Sequence, residues 1–460
     1  MTNFLFPIET TARELDQKLL MAVKSCKPGR KIYVGDQQFI RMLSFFLRGG
    51  VFYGKHLFGK PYFSDTKYYE RLKRRNFKLV HLNEEGAVVP GDDKVFGQLL
   101  KQAERPSVLS EDDFLITWGE WQKRFNKSYE NPVASIIATG HPRFDLYSPK
   151  YQSYFGDEVN ALNKKYGNYI LVNTAFSYSN NGEGGVGFIF KPTLSYDAKT
   201  IEHREYRFKR WHNQMQSVAG IVYLVNKLSI KYPDTNIIIR PHPSEDLEYY
   251  KKIFDGIANV LIIYEGAVTP WILGSKVLIH NGCTTAIEAT LAGKPVINYS
   301  PNFDQDFDIY LATICGKTFN NVESVISEVD KSYLSDCIVE LPKNKRAIDL
   351  FKNFTDNDTS ASVLNVLEEA DNLTDRRKVS NVNLTALRIM SLVHRGFLVL
   401  KYSYLFLVGR KKDKADYLKR FGNLEQASIG KKIDSLNQIL DKNVKVKYVG
   451  RFLTVLEVDK

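Results

Sequence analysis

The chain has 460 residues, 43% hydrophobic and 25% charged, with a net charge of +12 at neutral pH. That composition is globular and excludes a disordered tail, a collagen-like repeat and a small disulfide-stapled scaffold. At roughly 100 to 200 residues per domain, the length predicts two or three domains, each able to bury its own core.

The N-terminal run MTNFLFPIE has no basic flank and is broken by Pro7 and Glu9, so it reads as a first strand and not as a secretory signal. Short apolar runs then alternate with helix-period segments: KIYVG with DQQFIRMLSFFLR, VFYGK with DTKYYERLKRR, then KLVHL, FLITW and SIIATG. A second series starts with NYILVN and continues through a long helical segment from His203, NIIIRPHP, NVLIIY, KVLIH, TTAIEATLAG and KPVINYS. The alternation predicts βαβ units and an α/β fold of two Rossmann-like doubly wound domains facing a cleft. The expected division is 1–150, 165–345, a helical segment 346–375 returning to the first half, and a basic helical C-terminal region 376–460. The polar stretch Ser177 to Gly187 reads as a loop.

The four cysteines, Cys26, Cys283, Cys315 and Cys337, form no CxxC pair, and no His lies at metal-ligand spacing. Neither a disulfide framework nor a metal site is expected, and the compartment is read as reducing and cytoplasmic. No apolar run reaches the ~18 to 20 residues of a membrane span. The longest, Phe397 to Val408, contains Lys401.

Residues 376–460 hold 19 Lys and Arg against 7 Asp and Glu, so the whole net charge resides there. Basic clusters (Arg376, Arg377, Lys378; Arg410, Lys411, Lys412, Lys414) flank apolar stretches. That pairing fits a helix lying on an anionic membrane surface, peripheral to the inner face, and equally a solvated appendage packed on its own body. Nucleic acid is not an expected partner, because no motif for its recognition is present.

Three features fall after strands of the second series, where open α/β sheets bind ligands. They are Arg240-Pro241-His242-Pro243, Glu265-Gly266 and Gly282-Cys283-Thr284-Thr285. The prolines fix the backbone at His242, which can donate to a phosphate oxygen. Thr284 and Thr285 open a helix and can hold an anion, with Glu288 one turn on to accept a hydroxyl. A rigid turn, a helix cap and a capping box are the plain readings of the same residues. No P-loop or GxGxxG is present.

His-Pro after one strand, and a hydroxyl pair followed by Glu288-Ala289 and Gly293-Lys294-Pro295-Val296, resemble GT-B glycosyltransferases with cytidine-activated donors. That group includes sialyltransferases, capsular Kdo transferases and, more distantly, CDP-glycerol glycerophosphotransferases. TGHPRFDLY, LNEEG and TWGEW resemble the bacterial surface carbohydrate biosynthesis group over roughly residues 1–370. The resemblance implies a GT-B-like fold and transfer of a Kdo-like or nonulosonic acid from a CMP-linked donor to a glycan or glycolipid acceptor, with no further cofactor. It places His242, Thr284 and Thr285 at the donor's phosphate with Glu288 nearby; Arg240 and Cys283, in the same two strand-end motifs, are further candidates for the donor nucleotide. A CDP-glycerol-type transferase, a UDP-sugar transferase or 2-epimerase, and a non-catalytic assembly scaffold are the alternatives.

Sugar transfer passes through an oxocarbenium-like state, so a carboxylate is needed beside the acceptor. Glu84 and Glu85 before Gly86, Glu9 and Asp36 all follow strands of the first half, and Glu84-Glu85 are the leading pair. Capsular Kdo transferases carry a similar acidic pair, with Asp where this chain has Glu. Lys55, Trp118 and Arg143 are candidates to line the cleft; the plain readings are a surface Lys, a buried aromatic and an Arg paired with Asp145. His280 and Cys283, at a buried strand end, also suit packing.

Overall fold

The computed structural model describes residues 1–55, 66–88, 90–191, 196–334, 339–356, 358–408, 417, 421 and 424–458. The basic cluster Arg410 to Lys414, and Cys337, lie outside the described residues. The chain forms two compact units: Met1–Ala87, Gly97–Tyr154 and Asn344–Lys460 make the first, Val88–Phe96 and Phe155–Lys343 the second.

The first unit contains β1 (Thr2–Ile8), β2 (Arg30–Asp36), β3 (Gly50–Gly54), β4 (Phe77–Leu82), β5 (Phe114–Thr117) and β6 (Ser135–Ala138). The second contains β7 (Tyr169–Asn173), β8 (Asn236–Arg240), β9 (Val260–Ile262), β10 (Val277–His280), β11 (Val296–Tyr299) and β12 (Lys317–Phe319). The chain ends with β13 (Lys445–Gly450) and β14 (Leu453–Glu457) in the first unit.

The first sheet has the order β13-β14-β2-β1-β3-β4-β5-β6. Strands β1 to β6 are parallel, and the near-continuous apolar runs of β1 and β2 follow from burial on both faces. β14 pairs antiparallel with β2, and β13 closes the edge with Lys445 and Lys447 exposed. Lysines on an edge strand oppose pairing with another chain. The sequence-defined region 376–460 is thus helical over Leu384–Leu407 and Gln426–Leu440, and then completes the first sheet. The helix Thr359–Asn372 also belongs to this unit, packing beside β3 and β4.

The second sheet has the order β12-β11-β10-β7-β8-β9, with every pair parallel. On one face Ile170, Val172, Ile237, Ile239, Val277, Ile279 and Ile297 join a core with Leu224, Val225 and Leu228 of the helix Ile201–Lys231. Because side chains alternate along a strand, Asn173, His280 and Asn298 turn to the other face.

Both units are therefore Rossmann-like and doubly wound. In each, the chain builds outward from a central strand and then crosses to that strand's other side. The order reverses between β1 and β3 in the first sheet and between β7 and β10 in the second. Helices on opposite faces diverge there, which leaves a crevice at the carboxyl ends of the strands.

Candidate functional site

In the second unit the reversal is lined by polar side chains. The last register across five neighbouring strands reads Arg240, Asn173, His280, Asn298, Thr318. The preceding row is apolar and buried over four of those strands (Ile239, Val172, Ile279, Ile297), so on them polarity begins where the strands end. The Asn173 amide donates to Thr285 Oγ1 (2.9 Å), which ties β7 to the helix Thr285–Leu291 that follows β10. Thr285 in turn donates to Cys283 Sγ (3.1 Å). Gly282 turns the chain out of the strand at φ +64°, a conformation that suits glycine. The loop Asn281 to Thr285 is half-exposed.

His280 is fully buried, and its Nδ1 accepts the Cys283 N–H (3.2 Å). The ring proton therefore sits on Nε2. Burial pushes this imidazole down to about 3, so it is neutral. Among the described residues His280 Nε2, Asn173 Oδ1 and Asn298 Oδ1 have no hydrogen-bond partner. Other buried polar atoms are unpaired elsewhere in both units, but these three lie side by side on neighbouring strand ends.

At the end of β8, His242 is exposed and its backbone N–H donates to Glu245 (2.9 Å). Glu245 is buried and also accepts from Thr174 (2.9 Å) and Tyr250 (2.6 Å); burial raises its carboxyl despite these bonds. The Pro-His-Pro turn is thus held from beneath, while Ser244 Oγ lies 2.7 Å from His242 Nδ1.

In the first unit the carboxyl ends of β1, β3, β4 and β6 gather charge. Glu84 is buried and accepts from His141 Nε2 (2.9 Å) and Gln17 (3.2 Å), with Arg143 at 3.8 Å. His141 Nδ1 accepts the Arg143 backbone N–H (3.1 Å), which fixes the tautomer that donates to Glu84. Burial pushes His141 down to about 4, and burial likewise takes Lys18 down to about 8 against the pull of Glu84 and Glu14. Burial alone would raise Glu84, but the His141 bond and the charges of Lys55 and Lys18 hold it well below the usual carboxylate range. Lys55 bridges Glu9 (3.1 Å) and Glu14 (2.5 Å), so it is a half-buried ion-pair partner and not a free surface lysine. Glu85 points outward, 62% exposed, paired with Arg13. Burial raises it, yet Arg13 more than compensates and its carboxyl is held low.

Several sequence expectations take a different form. Asp36 caps the helix Gln37–Leu43, accepting from Gln38 (2.5 Å) and Phe39 (3.0 Å), and also accepts from Tyr417 (2.6 Å). It is a structural cap and not a site carboxylate. Trp118 is fully buried, its indole donating to Asn83 O (2.7 Å), because it packs between His141, Phe144 and Phe351. Arg143 faces Glu84, while Asp145 accepts from Thr359 (2.6 Å) and Ser360 (2.6 Å). Arg240 is buried; it donates to Glu265 O (2.9 Å) and stacks over Trp271, which fixes the loop after β9 instead of exposing a cation. Thr284 makes no side-chain cap bond, so the capping box does not form. Glu288 is buried in the first turn of that helix. Asn173 and Glu245 are additions; a polar residue ending an apolar strand and the acid in PHPSE were the available signals.

Among the described residues no three His, Cys, Asp or Glu side chains gather as metal ligands. No protein-family model and no curated protein matches the chain. Solved structures that superpose include the UDP-GlcNAc 2-epimerase of Methanocaldococcus jannaschii in complex with UDP-GlcNAc and UDP, at 12% identity and TM-score 0.46, covering 80% of this chain and 99% of that one. The UDP-GlcNAc 2-epimerase from Neisseria meningitidis bound to UDP-GlcNAc gives 13% identity and TM-score 0.46, covering 80% and 99%. The wall teichoic acid polymerase TagF gives 11% identity and TM-score 0.46, covering 81% and 89%. At these values the likenesses say nothing of what this chain binds or does.

Proposed function

We propose that this protein is a glycosyltransferase of surface polysaccharide synthesis that moves a Kdo-like or nonulosonic acid from a CMP-activated donor to a glycan or glycolipid acceptor. The observation that carries the reading is the strand-order reversal between β7 and β10, where Asn173, Thr285 and the loop Asn281 to Thr285 meet outside an otherwise apolar sheet. A nucleotide phosphate fits that crevice, with the backbone N–H groups and hydroxyls of the loop and the His242 ring as donors. Glu288, in the first helical turn, is the acceptor for a ribose hydroxyl. The His-Pro and hydroxyl-pair resemblance favours a cytidine nucleotide.

On the acceptor side Glu85 is the carboxylate that can touch a ligand, because Glu84 is buried in its network. A carboxylate kept ionised by Arg13 is suited to face an oxocarbenium-like centre and poorly suited to deliver a proton. The loss of a phosphate leaving group is then assisted by the donors at the β7–β10 reversal.

The test is a melting-temperature panel with CMP, CDP, UMP, UDP and GDP, since a ligand that binds only the native state raises it. CMP raises the transition and His242→Ala removes most of the rise; Glu85→Gln keeps the rise and loses transfer. A response to UDP or CDP alone moves the assignment to a UDP-sugar enzyme or a glycerol-phosphate transferase. No response to any nucleotide overturns the reading in favour of a scaffold.

A further inference from the structure

Among the described residues no helix is long and apolar enough to cross a membrane. The helix Leu384–Leu407 nevertheless presents two opposed apolar stripes. Leu387, Ser391, His394, Leu398 and Tyr402 are buried against the first unit, with His394 packed between Phe39 and Phe452. Ile389, Val393, Phe397, Leu400, Tyr404 and Leu407 recur at helical spacing on the far side and are exposed, Leu400 by 72% and Leu407 by 81%. Leu392, Val399 and Phe406 widen that stripe on one flank. A soluble surface rarely leaves so continuous an apolar strip in water.

The charge beside the strip selects the occupant. The helix carries Arg388, Arg395 and Lys401 and no Asp or Glu. By helical periodicity, Arg388 and Arg395 lie along one flank of the exposed stripe and Lys401 along the other. The segment leading into the helix is pinned to a turn of the same character: Arg48 and Ser380 exchange backbone hydrogen bonds (3.2 and 3.0 Å). That turn exposes Phe45 and Phe46, with the Arg71 guanidinium 3.7 Å from the Phe45 ring centroid. A second copy of this chain would bring like charges together, and a phosphate backbone offers nothing to nine apolar side chains. An anionic bilayer surface satisfies both the strip and its flanks.

We propose that the outward face of the helix Leu384–Leu407 docks the protein on an anionic lipid bilayer, the apolar stripe entering the interface and Arg388, Arg395 and Lys401 meeting lipid phosphates. The docking is independent of which nucleotide the second unit binds.

Flotation of the full chain with vesicles tests it, using phosphatidylcholine alone and phosphatidylcholine mixed with phosphatidylglycerol. The protein floats with the mixed vesicles and far less with the neutral ones, and added salt weakens the association. The variant L392E/L400E alters only exposed side chains, so it keeps the wild-type melting temperature and loses flotation. The variant R388Q/R395Q/K401Q binds mixed vesicles roughly a hundredfold more weakly. Equal flotation of either folded variant and the wild type overturns the proposal. So does a wild type that stays in solution with both vesicles, whether as a dimer closed through this face or bound to added duplex DNA instead.

Discussion

At the scale of single residues, two buried imidazoles couple protonation to folding. His280 and His141 are neutral in the folded chain, pushed down to about 3 and about 4 from an ordinary 6.5, burial being the main cause in each. Between pH 6.5 and those values the unfolded chain binds the protons that the folded chain refuses. Stability is therefore full above pH 6.5 and is lost as the pH falls toward about 3. For His280, whose shift comes from burial alone, the linkage over that window is on the order of 5 kcal/mol. Melting curves of the wild type should fall steeply from pH 6.5 to 4, and those of His280→Gln should fall less. Parallel curves would show that His280 takes up its proton freely in the fold. The role of His280 was the least legible in the sequence, because a His ending an apolar strand looks the same whether it packs or binds. His242 was legible through its prolines, which leave the backbone little choice. Asn173 was not, since only the pairing of β7 with β10 brings it beside Thr285.

Elements were legible where their period was strong and their burial two-sided. Eleven of the twelve strands of the parallel sheets are short apolar runs, and their alternation with helical segments was enough to predict two doubly wound sheets; β12, the exposed edge strand KTF, has no such run and was not read as a strand. The last two strands escaped notice because a long-range pairing, not local composition, makes them strands. KVKYV alternates with period two, but its lysines read first as part of the basic surplus. The joint of β14 to β2 rests on a close approach at Gly35, where a Cβ would stand 2.2 Å from the Phe452 carbonyl oxygen. Backbone at that distance cannot yield as a side-chain tip can. Gly35→Ala should thus push β14 off the sheet, destabilise the first unit by about 1–3 kcal/mol and open the C-terminal strands to protease before the rest of the chain. A variant with unchanged melting and an unchanged digestion pattern would mean that β14 contributes nothing to the unit.

For the whole molecule, the topology poses a choice that composition cannot make. Each sheet reverses its strand order once, so each offers a crevice at its carboxyl edge. The two edges differ in chemistry. The first holds a network of opposite charges already satisfied among Glu84, His141, Lys18, Lys55, Glu14 and Glu9. The second carries fewer charges, Arg240, Glu245 and Glu288, and holds unpaired buried polar atoms side by side at Asn173, His280 and Asn298, with an exposed His242 on the next strand end. A preformed ion network gains little from an added phosphate, because its cations are already neutralised and desolvating them again is unfavourable. An edge with an unpaired donor, the His280 Nε2–H, with the backbone N–H groups of the loop Asn281 to Thr285, and with the Asn173 and Asn298 amide oxygens left to accept from ligand hydroxyls, gains more. Amide hydrogen exchange with a saturating nucleotide should accordingly slow in the segments after β7, β8 and β10 (residues 174–181, 241–246 and 281–288) and leave the segment after β4 (residues 83–86) unchanged. Protection confined to the ends of β1, β3 and β4 would reverse the assignment, making the charged edge the nucleotide site and Glu85 a ligand of the donor.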